Sequence, residues 1–166
     1  MREILFRAKG RDGEGWRQGH YWHCEDTILC CATAEQMREN EHHYLLFDGF
    51  CDWNMPKPHY KMDIDQETLG LYTGIKDANG KDIFEGDIVQ RDLLGEKVIG
   101  QIVWMDIGST GFYLKIEKSL GSDFYPIGKG QFDNDEGERC NDIVMGNIYD
   151  NPELIKGRRR NEINKC

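Results

Sequence analysis

The dipeptide Asn79-Gly80 constrains this chain more than any other feature. Asn-Gly between two apolar runs is a strong short-range hairpin signal, because both residues tolerate the positive φ that a tight turn between antiparallel strands requires. Before it, Leu69-Gly70-Leu71-Tyr72-Thr73-Gly74-Ile75 reads as a strand. After it, Lys81-Asp82-Ile83-Phe84 leads through a second turn, Glu85-Gly86-Asp87, into the next strand, Ile88-Val89-Gln90-Arg91. A segment that turns twice between Leu71 and Val89 sets a β reading for what surrounds it.

The rest of the C-terminal half repeats this punctuation. Gly accounts for 19 of 166 residues and Pro for only 4, whereas usual Gly usage is about 7%. Many turns mean short elements. Leu93-Leu94-Gly95-Glu96 is a further turn, and Lys97 to Met105 the longest strand. Its two faces, Val98, Gly100, Ile102, Trp104 and Ile99, Gln101, Val103, Met105, are both largely apolar. That predicts a central strand buried on two sides. Phe112 to Ile116 is its expected partner across Gly108 to Gly111. Lys118 to Arg139 is polar and Gly-rich, and its charge run Asp133 to Glu138 reads as a solvated loop or hairpin tip. Asp142 to Tyr149 is the last strand. Asn151-Pro152-Glu153 has N-cap chemistry with Pro at the first helical position, predicting a short helix through Leu154-Ile155 that Gly157 stops.

In the N-terminal part, Ile4 to Ala8 and Trp16 to Cys24 are strands joined by a turn over Gly10 to Gly15. On the second, Trp16, Gln18, His20 and Trp22 face one way and Arg17, Gly19, Tyr21 and His23 the other. Thr27 to Cys31 is a third apolar run. Thr33-Ala34-Glu35-Gln36 has the capping-box form and predicts a short, exposed helix to Asn40. Tyr44 to Phe47 reads as a buried strand. Pro56 and Pro58 make Phe50 to Lys61 a loop crossing between two halves. The expected fold is mainly β. It has an N-terminal antiparallel β subdomain with one or two short helices over residues 1–62 and a small SH3-like barrel with a terminal helical turn over residues 63–156. A disordered tail covers residues 157–166.

Charge and cysteine usage bound the function classes. Lys plus Arg total 21 against 30 Asp plus Glu, a net charge of -9. Duplex nucleic-acid binders usually carry a basic excess, so nucleic acid is a disfavoured partner. Met1-Arg2-Glu3-Ile4-Leu5-Phe6-Arg7 has no apolar targeting run, and no window has the ~20 apolar residues of a membrane span. The expectation is a cytoplasmic protein that does not engage membrane, with its six cysteines (24, 30, 31, 51, 140 and 166) as thiols.

Several constellations could carry chemistry. His20, His23, Cys24, Cys30, Cys31, His42, His43 and Cys51 crowd a short stretch, and thiolate and imidazole are zinc ligands. Yet there is no Cys-x-x-Cys, and Cys30 and Cys31 would point to opposite faces of a strand. The expectation is therefore no metal, no cofactor and no catalytic residue. Cys24 beside His23, or Cys51 with His42 or His43, offers a nucleophile–base pair, without the surroundings of a nucleophile elbow. Asp133, Asp135 and Glu138 offer oxygen ligands but lack the full EF-hand pattern. Arg158-Arg159-Arg160 with Lys156 and Lys165 forms a basic tail, and Trp16, Tyr21 and Trp22 on an open sheet could stack single-stranded bases.

Three separate segments resemble one family. Leu71-Tyr72-Thr73-Gly74-Ile75-Lys76-Asp77-Ala78-Asn79-Gly80-Lys81-Asp82-Ile83-Phe84-Glu85-Gly86-Asp87-Ile88-Val89 resembles the signature of the YopX family of phage and prophage proteins. Gly146-Asn147-Ile148-Tyr149-Asp150-Asn151-Pro152-Glu153-Leu154 resembles its C-terminal signature, and Arg2-Glu3-Ile4-Leu5-Phe6-Arg7-Ala8 its N-terminal one. Asp65-Gln66-Glu67-Thr68-Leu69-Gly70 also fits. The resemblance implies a phage or prophage accessory protein inside a bacterial cell, and it supplies no catalytic residues to carry over. The matching residues read as scaffolding: Asn79-Gly80 and Gly86 for turns, Asp87 and Asn147 as polar turn locks, and Ile83, Phe84, Ile88, Val89, Ile148 and Tyr149 as core or strand residues. The preferred expectation is a non-enzymatic binding module with a protein partner, itself a homo-oligomer. The alternatives are a single-stranded nucleic-acid or RNA binder and a small zinc-dependent enzyme.

Overall fold

The computed structural model describes residues 4–11, 13–25, 33–39, 41–49, 58–93, 95–118, 121–127 and 142–156. Among the described residues the fold is mainly β, antiparallel throughout its named strands, with two short helices. The chain divides into two compact units, Met1–Leu71 and Tyr72–Cys166. Among the described residues no helix is long and apolar enough to cross a membrane.

The first unit holds strands β1 (Phe6–Lys9), β2 (Trp16–Glu25), β3 (Glu41–Asp48) and β4 (His59–Asp63), helix α1 (Ala34–Glu39) and a single 3-10 turn, Gln66–Thr68. The strands lie in the order β4-β3-β2-β1. β1 also pairs with the start of β5 (Gly70–Lys76), Phe6 opposite Leu71 and Arg7 opposite Gly70. Register decides which side chains meet. On β2 and β3, Tyr21 lies opposite Leu45, Trp22 opposite Tyr44, His23 opposite His43 and Cys24 opposite His42. Leu45 in turn lies opposite Met62 on β4.

Because side chains alternate between faces, one face gathers Ala8, Leu45, Met62 and Ile64 into a buried core, with Phe6, Tyr21, Phe47 and Leu69 packed against it. Each large aliphatic side chain buried there contributes about 1.5–3 kcal/mol. The end of β1 then meets the end of β4: Gly10 bridges Ile64, and the Arg11 amide donates to the Asp63 carbonyl at 3.1 Å.

The predicted capping box is present. The Thr33 amide donates to Gln36 Oε1 (2.9 Å) and the Gln36 amide to Thr33 Oγ1 (3.3 Å), opening α1. The apolar run Thr27 to Cys31 lies outside the described residues. β4 differs from the loop expected through Lys61. It is a strand from His59, immediately after Pro58. An edge strand needs no apolar alternation, since His59, Tyr60 and Lys61 are all exposed, and a proline is tolerated at its start.

In the second unit, Tyr72 on β5 pairs with Phe84 on β6 (Asp82–Phe84) across the Asn79-Gly80 turn. Gly80 and Gly86 both take positive φ, 84° and 83°, as the two turns require. A five-stranded antiparallel sheet follows, in the order β10-β9-β8-β7-β11. Its strands are β7 (Asp87–Leu93), β8 (Glu96–Ile107), β9 (Ser109–Lys118), β10 (Gly121–Pro126) and β11 (Ile143–Asn147), and α2 (Glu153–Lys156) contacts β8. β8 is central, as predicted, but Trp104 near its end is 46% exposed, edge-on to Phe112.

β10 lies in the polar, Gly-rich segment Lys118 to Arg139, to which the sequence assigns no strand; the charge run Asp133 to Glu138 lies outside the described residues. β10 is an edge strand ending at Pro126, and its polar composition hid it. Ile83, Phe84, Ile88 and Val89 are fully buried, in line with their scaffolding role, whereas Tyr149 is exposed. The two polar turn locks are in place. Asp87 Oδ2 accepts the Phe84 amide (2.9 Å), and Asn147 Oδ1 accepts the amides of Tyr149 and Asp150 (2.9 Å each). β10 and β11 are separate edges, and among the described residues they do not pair with each other.

Candidate functional site

The β2–β3 pair carries the chemistry-bearing residues of the first unit on both of its faces. Parity separates them. On the core-side face the cross-strand pair His23 and His43 stacks, with ring centroids 4.9 Å apart. His43 is buried while His23 is exposed. Glu41, two residues before His43 and therefore on the same face, brings Oε2 to 4.0 Å from His43 Nε2. On the other side of the ring, Tyr21 Oη lies 2.7 Å from His43 Nδ1, and either partner can donate according to the imidazole tautomer. The metal-binding atoms of His23, Glu41 and His43 all lie within 4.8 Å of one another.

The electrostatics follow from burial. Loss of solvent, and then the neighbouring His23, holds His43 below the ordinary imidazole range, against the opposing pull of Glu41. Burial, followed by the negative charge of Glu41, pushes the Tyr21 hydroxyl above its ordinary value. At neutral pH this is a neutral imidazole held by a protonated phenol.

The opposite face of the same strands is built differently. Trp22 and Tyr44, directly opposed, stack at 5.6 Å, and His42 stacks on Tyr44 at 5.9 Å. Lys61 Nζ sits 4.2 Å above the Tyr44 ring and 5.9 Å from Trp22. Across the sheet, Arg7 lies over Trp16 at 4.8 Å and Lys9 over the same ring at 5.5 Å. Each such cation–π contact contributes about 0.5–1 kcal/mol at an exposed site. Trp22 is 44% exposed. At the β4 edge, where the exposed Tyr60 lies opposite Phe47 on the core-side face, there is a shallow, open pocket of about 440 Å³ lined by Glu14, Arg17, Phe47, Tyr60 and Lys61.

The structure sorts the residues singled out from sequence. Among the described residues, two of the eight His and Cys candidates, His23 and His43, stack on the core-side face. Cys24 and His42 oppose each other on the other face, so Cys24 and His23 do not share a face and form no nucleophile–base pair. His20 is exposed and its Nδ1 lies 3.2 Å from the Ile4 carbonyl oxygen. Cys30, Cys31 and Cys51 lie outside the described residues, as do Asp133, Asp135, Glu138, Arg158 to Arg160, Lys165 and the side chain of Lys156. Of the three proposed stacking aromatics, Trp16 and Trp22 share the open face, while Tyr21 points to the core side. Sequence reasoning missed Glu41 and Tyr44. The His42-His43 doublet beside an acid was visible, but only the register of β3 against β2 says which histidine meets His23.

The model of the YopX protein family matches residues 13–156. No curated protein matches the chain. Among solved structures the chain is similar to protein EF1440 from Enterococcus faecalis, with 17% identity and a TM-score of 0.43, over 93% of this chain and 99% of that one.

Proposed function

The chain belongs to the YopX family, and on that premise we propose that it is a non-enzymatic binding module that engages another protein through the aromatic and cationic face of β2 and β3. In this reading it is a phage or prophage accessory protein acting in the cytoplasm of a bacterial cell, as a homo-oligomer. Its second unit curls into a small barrel. Arg91 on β7 supports that curl, because it reaches both Asp142, just before β11, and the carbonyl of Pro126 at the end of β10.

The observation that carries the binding reading is Trp22, large, apolar and exposed, stacked on Tyr44 and beside Lys61. Tryptophan, tyrosine and arginine are the residues that anchor protein interfaces. Beside this patch the outer edge of β4 offers His59 to Lys61 for strand addition. Among the described residues that edge is met only near Asp63 and Ile64. Affinity capture from bacterial lysate, comparing the native chain with Trp22→Ala and Lys61→Ala, tests it. Specific bands lost in both variants support the reading; identical capture by all three opposes it.

A single-stranded nucleic-acid reading is favoured by one observation, the three cations Arg7, Lys9 and Lys61 interleaved with aromatic rings. Two facts favour protein instead. Those cations already lie over the π faces that bases would need, and the chain's net charge is -9. Titration with oligo-dT at ~50 mM salt, followed by tryptophan quenching, discriminates. Strong, salt-sensitive quenching would replace the protein reading.

A further inference from the structure

We propose that His23, Glu41 and His43 form a three-ligand site for a divalent transition metal, zinc above all, with one coordination position left open. The proposal is independent of the partner reading, which concerns the opposite face of the sheet.

Three observations carry it. The first is the donor set. Two imidazoles and one carboxylate are borderline-soft ligands that suit zinc, and three protein ligands with a vacant fourth position is a recurring arrangement. The second is distance. Zn–N and Zn–O bonds of about 2.0–2.2 Å at tetrahedral angles place ligand atoms roughly 3.4 Å apart. Here His43 Nε2 and Glu41 Oε2 stand 4.0 Å apart, and all three ligand atoms lie within 4.8 Å. His23 is exposed and Glu41 half-buried, so both can close the difference by side-chain rotation while His43 stays fixed in the core.

The third is the partner behind the ligand. Metal-bound histidine almost always donates its other ring N–H to an oxygen that fixes tautomer and orientation. Tyr21 Oη, 2.7 Å from His43 Nδ1, is placed for that role. With the proton on Nδ1, His43 donates to Tyr21 and turns the Nε2 lone pair towards Glu41. Arg11 is the opposing charge near this site, and it is paired with Asp63 at 3.8 Å. Strand pairing supplies the preorganisation. His23 and His43 are opposed residues of adjacent strands, so the backbone holds two ligands before any metal arrives.

The test is calorimetric titration of zinc sulfate into the full chain, purified without a histidine tag and stripped with chelator. One equivalent should bind. His23→Ala and Glu41→Gln alter accessible side chains and should each weaken binding at least about tenfold. Tyr21→Phe, which keeps the ring and removes the oxygen behind His43, should weaken it by about tenfold. His42→Ala, on the opposite face, should leave it unchanged. Cobalt substitution adds a spectroscopic readout: tetrahedral d–d bands without thiolate charge transfer. Absence of stoichiometric binding, affinity indifferent to His23→Ala, or a thiolate band would each overturn the assignment.

Discussion

The carboxylate of Asp77 reaches Val144, 67 residues away, accepting its backbone amide on Oδ2 at 3.1 Å. Its Oδ1 accepts the amides of Asn79 and Lys81 at 2.8 Å each. One buried side chain therefore closes the Asn79-Gly80 turn and ties it to β11. The Ala78 amide reinforces the link by donating to the Asp142 carbonyl at 2.8 Å. Burial alone would raise the Asp77 pKa. Three backbone N–H donors, helped by Lys81, outweigh it and hold the carboxyl below its ordinary range.

That depression has a sign. A carboxylate with a lowered folded-state pKa contributes stability that is present above its unfolded pKa of about 4 and is lost as pH falls through the folded value. Asp77→Asn turns a donor towards the Val144 amide and should cost about 1–3 kcal/mol at pH 7. Urea unfolding at pH 7 and again at pH 3 checks both points. The gap between native chain and variant should narrow in acid; a gap independent of pH would rule out the charged carboxylate as its source.

Arg91 and Asp142 form a second long-range tie. Nε and Nη2 of Arg91 each donate to one Asp142 oxygen at 2.6 Å, and Asp142 is fully buried. Removing one partner of a buried pair leaves an uncompensated charge and costs about 3–5 kcal/mol. Arg91→Ala should lower the thermal midpoint markedly, and Arg91→Ala with Asp142→Ala should recover part of the loss. A double variant as unstable as the sum of the singles would contradict coupling between the two residues.

Gly100 lies mid-strand on β8, where a side chain would normally help. A Cβ there would fall 2.5 Å from the Lys115 carbonyl oxygen and 2.9 Å from Leu114 Cδ1. Gly100→Ala should therefore destabilise by about 1–3 kcal/mol. Gly111→Ala, with open space around its Cβ, serves as the control and should change stability by no more than about 0.5 kcal/mol. Equal effects in chemical denaturation would show that crowding is not the reason for Gly100.

Trp22→Ala removes an exposed ring stacked on Tyr44. It should cost about 1 kcal/mol or less in stability, while abolishing capture of the partner protein. Thermal melts run beside the capture experiment separate the two. A collapse of the fold would make Trp22 a packing residue rather than an interface anchor.

The Asn79-Gly80 hairpin, the Thr33–Gln36 capping box and the central place of β8 were legible in sequence because each depends on neighbours along the chain. Turn φ, cap hydrogen bonds and side-chain alternation are local. The edge strands β4 and β10 were not, because an edge has solvent on one side and needs no apolar signal. The candidate metal site was half legible. Alternation alone put Tyr21 and His23 on one face of β2, and His43 stood in the candidate list. The choice of His43 over His42, and the arrival of Glu41, came from strand register, a property of two segments together. The same holds for Asp77 and Val144. The sequence by itself determined the β class, its interior strands and turns, and the family. Only the tertiary structure decided which distant side chains meet, because pairing register and burial are set between strands rather than within them.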